Sequence, residues 1–136
     1  MYETFDHTAD LGLRVVSPDL NSLFADAGLG LSSLIVEDVT SVKPAEEHRV
    51  VLCEEDREYL LFDWLKELLY RFDGEHLLFS RFDVEVSDAG LTAAVWGEPL
   101  DTTRHELDRE VKAITYHDLT VREHDGGWLA EVIVDI

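Results

Sequence analysis

Apolar positions along this chain change period several times, and each change marks an element. Tyr2 to Phe5 and Gly12 to Ser17 alternate and predict two short strands. Ser17-Pro18-Asp19 then gives a helix start, with Asp19 or Ser17 as the cap and Pro18 early. Leu20, Leu23, Phe24, Ala27, Leu31 and Leu34 follow at helical spacing and should face a core. Gly28 and Gly30 each weaken that helix by about 1 kcal/mol unless close packing requires them. His48 to Cys53 alternates again and predicts a strand. The strongest helical pattern covers about Asp56 to Phe72. Leu61, Trp64, Leu65, Leu68, Leu69 and Phe72 lie on one face, with Asp63, Lys66, Glu67 and Arg71 on the other. Asp73-Gly74 should end it, Gly74 supplying a left-handed cap.

From Leu77 onward the pattern is one of strands. Phe79 to Val86 should pair with Leu91 to Trp96 through Ser87-Asp88-Ala89-Gly90. Gly97-Glu98-Pro99 breaks the alternation, and Leu100 to Glu110 is polar and irregular. Val111 to Arg122 and Trp128 to Ile136 predict a second hairpin around Asp125-Gly126-Gly127. Two helices among hairpins predict an α+β fold over residues 1–136, one domain with a mixed or antiparallel sheet carrying both helices.

Charge changes the picture more than composition does. The formal net charge is −19, and the acid is spread along the chain. Lysine occurs only at Lys43, Lys66 and Lys112. Repulsion of this kind is relieved by screening, so the balance predicts a halophilic source. It also makes any acidic cluster weak evidence of a site. No basic patch is present, so direct binding to nucleic acid is not expected. No apolar run reaches transmembrane length and the opening residues lack a basic region followed by an apolar one, so the expected location is the cytoplasm, away from the membrane. The single cysteine, Cys53, reads as a small core residue.

Three candidates carry chemistry. Asp10, at the mouth of the second strand, and Asp135, at the end of the last, each offer a hard oxygen donor. The main-chain carboxylate of Ile136 adds another. If the ends meet, a divalent cation such as Ca²⁺ or Mg²⁺ would relieve their repulsion; otherwise Asp10 caps a turn and Asp135 is a solvated edge carboxylate. Lys112 is the second: it either reaches a carboxylate, a phosphate or a partner, or guards a strand edge. The third is the polar run from Arg104 to Glu110. His7, His105 and His117 lack the close spacing of a zinc motif, and no phosphate loop or nucleophile elbow occurs.

Several segments in order are similar to one family. Phe5-Asp6-His7-Thr8-Ala9-Asp10-Leu11-Gly12, Trp64-Leu65-Lys66-Glu67-Leu68-Leu69-Tyr70, Phe79-Ser80-Arg81-Phe82, Arg104-His105-Glu106, Glu110 to His117 and the terminal Asp135-Ile136 resemble archease across essentially the whole chain. Leu11 stands where isoleucine is common in the family. The resemblance implies a protein that is not itself an enzyme: a cofactor protein for the GTP-dependent RNA-splicing ligase of tRNA processing. It implies promotion of the ligase's guanylylation and repeated turnover, with an alternative role as a chaperone-like modulator of a tRNA cytosine-5 methyltransferase. It further implies a divalent metal, calcium first with Mg or Mn as substitutes, held by Asp10, Asp135 and Ile136, and an activating role for Lys112. His7, Arg104, His105 and His117 are then expected to shape the partner face.

Overall fold

The computed structural model describes residues 1–7 and 10–136, the His7 side chain excepted. The expected α+β architecture is present, with its strands divided between two antiparallel sheets. β1 (Tyr2–His7) pairs with β2 (Asp10–Ser17), and β2 with β8 (Gly127–Asp135). On the far edge of β8 lie β6 (Ala113–Ile114) and β7 (Thr120–His124). The strand expected over 111–122 is therefore interrupted, its two pieces pairing with different ends of β8. The second sheet has the order β3 (Glu46–Cys53), β5 (Gly90–Pro99), β4 (Leu77–Ser87). Its β5 runs through the expected break to Pro99. Gly97 allows this, because a Cβ there would stand 1.7 Å from the Leu78 carbonyl oxygen.

Helix α1 (Leu20–Ile35) begins as expected, with the Asp19 carboxylate accepting from the Ser22 amide at 2.8 Å. Leu23, Phe24, Ala27, Leu31 and Leu34 are fully buried. The two glycines of α1 sit in close packing: a Cβ on Gly30 would meet the Leu13 side chain at 2.8 Å, and one on Gly28 would meet the Phe82 ring at 3.0 Å. Helix α2 (Arg57–Glu75) starts at Asp56, whose carboxylate accepts from the Glu58 and Tyr59 amides. The indole N–H of buried Trp64 donates to the Phe24 carbonyl at 2.8 Å, tying the helices together with no orphaned polar atom.

Two expectations are corrected. Gly74 does not end α2; the left-handed residue is His76 (φ 58°), and Gly74 stays helical. The extra turn delivers Leu77 and Leu78 into the core, and the His76 amide caps the helix by donating to Phe72. Cys53 is exposed rather than buried. Strand period decides this: Val50 is the buried position of β3, so Val51 and Cys53 fall on the opposite face.

Candidate metal and partner site

The β2–β8 register brings the two ends of the chain together. Leu11, buried, pairs with Val134, also buried. Asp10 and Asp135, both half-buried, are the next residues beyond that pair on their two strands. On the other edge, Ala113 pairs with Asp135, and the Lys112 amide donates to the Asp135 carbonyl at 2.7 Å. Three segments remote in sequence thus meet at one sheet end. Among the described residues, neither Asp10 nor Asp135 has a cationic partner, and the exposed Lys112 ammonium has no ion pair.

Asp10 and Asp135 offer carboxylate oxygens, which suit a hard cation. Among the described residues no three His, Cys, Asp or Glu side chains form a metal cluster. Ile136, exposed, follows Asp135 in the chain. Thr8, Ala9 and the His7 side chain, parts of the motif singled out above, lie outside the described residues.

The expected partner-face residues do not form one group. His105 is not available to a partner: its side chain is fully buried. Nδ1 accepts from the Asp101 amide at 2.9 Å, so Nε2 carries the proton and donates to Glu98 at 3.0 Å. Arg104 meets the same carboxylate through two nitrogens, at 2.6 and 2.9 Å, and also donates to the Ser41 carbonyl. The Lys43 amide adds a fourth bond to Glu98 at 2.7 Å. These partners, the Arg104 guanidinium foremost, hold the Glu98 carboxyl down at about 2. The residues from Arg104 onward are occupied by the fold. The Asp108 and Arg109 amides donate to the Ile35 and Leu34 carbonyls, which α1 leaves unpaired at its end. Beside them Glu37 is pushed up, first by the negative charge of Glu106. Of the four residues, His117 is exposed, 3.3 Å from Asp118.

Comparison with known proteins decides the family. Residues 2–136 match the Archease protein family (MTH1598/TM1083). The chain belongs to the archease family. It is 41% identical to the archease of Thermococcus gammatolerans, covering 99% of this chain and 98% of that protein. It is 35% identical to the archease of Sulfurisphaera tokodaii over 99% and 98% respectively. The solution structure of Methanobacterium thermoautotrophicum protein 1598 superposes with a TM-score of 0.86 at 41% identity, covering 99% of this chain and 98% of that one. A Thermotoga maritima archease, described as a possible chaperone, shares the fold at TM-score 0.66 and 18% identity, covering 100% and 98%. No helix among the described residues is long and apolar enough to cross a membrane.

Proposed function

We propose that this archease-family protein is a non-enzymatic activator of the GTP-dependent RNA ligase of tRNA splicing, acting in the cytoplasm. The observation that carries the reading is the meeting of Asp10, Asp135 and the Lys112 main chain at one sheet end. In the guanylylation step, a ligase histidine attacks the α-phosphate of GTP and pyrophosphate leaves. Charge builds on the phosphates as that bond changes hands. Groups fixed beforehand beside such charge are worth most, because they cost no reorganisation during reaction. Lys112, anchored through its backbone beside Asp135, supplies a cationic head on a flexible stem that orders or contacts the nucleotide. Asp10, Asp135 and the Ile136 carboxylate hold a divalent ion, calcium first, with Mg or Mn in its place; when bound it supplies further positive charge at the docking face.

A second reading follows the Thermotoga maritima archease described as a possible chaperone: a chaperone role, which we direct toward a tRNA cytosine-5 methyltransferase. It requires no metal. The test is ligase guanylylation and multiple-turnover RNA joining in high KCl, with and without this protein. Stimulation by substoichiometric amounts is the expected result. No stimulation by folded protein would move the assignment to the chaperone reading, which suppression of methyltransferase aggregation would then support. Residues appended after Ile136 displace its carboxylate and should weaken cation binding; undiminished affinity would remove Ile136 from the ligand set.

A further inference from the structure

Four side chains from three segments line a pocket: Glu54 before α2, Tyr59 and Asp63 on its first turns, and Tyr116 between β6 and β7. Tyr116 and Tyr59 meet edge to face, at 5.7 Å and 81°. Both rings are largely exposed, Tyr59 at 51% and Tyr116 at 59%. Neither hangs loosely. Tyr116 lies flat on buried Phe62, with 3.9 Å between centroids and a 15° tilt. Phe62 in turn carries the Lys66 ammonium 5.8 Å from its centroid. Tyr59 is held by the helix whose start Asp56 caps. Two fixed aromatic rings and two carboxylates therefore face the same space.

We infer that this pocket receives an arginine side chain from a protein partner. Aromatic faces attract a cation through their quadrupole, and a planar guanidinium can stack on a ring while its N–H groups reach a carboxylate. The two carboxylates select the sign. Asp63 is pushed up, chiefly by burial and then by the charge of Glu54, with Lys66 opposing the rise, so an incoming cation relieves repulsion that Lys66 leaves. Nucleic acid, whose bases also stack on exposed tyrosines, is disfavoured because its phosphates would approach Glu54 and Asp63. The inference does not depend on which protein the partner is.

The probe is N-acetyl-arginine amide, titrated into the full chain while the tyrosine ring protons are followed by NMR. The neutral isostere N-acetyl-citrulline amide is titrated in parallel. Arginine should shift the Tyr59 and Tyr116 signals saturably while leaving Tyr2 and Tyr70 unmoved, and citrulline should not. Asp63→Asn should weaken the response about three- to fivefold, in line with an exposed cation–π contact supported by charge. Tyr116→Leu tests the stacked wall; Tyr59→Leu, at an exposed position, does so without touching the Phe62 contact. Equal shifts with citrulline, or an unchanged response in Asp63→Asn and Tyr59→Leu, would overturn the inference. So would shifts produced by a uridine hexamer and not by arginine, which would make the pocket a base-stacking surface.

Discussion

Two sets of carboxylates in this molecule have opposite fates. Glu98 is nearly buried and spends its charge inside the fold, on Arg104, His105 and the Lys43 amide. Asp10 and Asp135 are half-buried at a sheet end and, among the described residues, have no cation to answer them. The difference is in the architecture around them. Glu98 lies where a strand end faces a loop rich in donors, whereas Asp10 and Asp135 are the next residues beyond the Leu11–Val134 pair on two neighbouring strands. In a chain with a net charge of −19, the proposed cation site uses acid that has no cationic partner among the described residues.

The contrast breaks most readily at the sheet end. Asp135→Asn should cost roughly tenfold or more in Ca²⁺ affinity, since even residues that merely orient a metal ligand are worth 10–100-fold. Its melting temperature without metal should hold or rise, because a like-charge neighbour is removed. Calorimetric titration and thermal melts check both; unchanged affinity would place the cation elsewhere. Glu98→Gln should do the reverse. It leaves Arg104 without its carboxylate and should lower stability by about 2 kcal/mol, with Arg104's partial exposure keeping the loss below that of a fully buried pair. Cation binding by the folded fraction should not change.

pH sharpens the same comparison. The folded Glu98 carboxyl sits at about 2 against an ordinary 4.5. Its contribution is therefore complete above about pH 4.5 and is lost as pH falls towards 2. Melting curves should fall more steeply across that window in the native chain than in Glu98→Gln. Parallel curves would mean the clamp contributes little. The smallest effect is general. Raising KCl should raise the melting temperature as the dispersed surface acid is screened, most of the gain coming before the screening length falls to a few ångströms. Indifference to KCl would argue against a halophilic surface.

The sequence made the elements legible wherever one face had to be dry. α1 and α2 follow from leucine and aromatic spacing, and the Asp125-Gly126 turn from two residues that tolerate positive φ, at 48° and 79°. The meeting of Asp10 with Asp135 was legible only as a possibility, because strand adjacency is a property of topology rather than of either segment. Glu98 was missed. Its partners lie six and seven residues ahead and meet it only because β5 continues to Pro99 before the chain folds back. Adjacent Arg104 and His105 were the available signal, and they read as a surface for a partner because burial of His105 cannot be seen in a polar stretch. His76 was missed for a related reason: the demand for Leu77 and Leu78 in the core outweighed the local preference for glycine.

The most direct test uses RNA joining by the GTP-dependent ligase, followed over many turnovers in high KCl with GTP and Ca²⁺ or Mg²⁺. The native chain is compared with Asp10→Ala and Lys112→Ala, each confirmed folded by its melt. The account predicts stimulation by substoichiometric native protein, loss of it in both variants, and loss of cation affinity in Asp10→Ala alone. Full stimulation by both folded variants would contradict it.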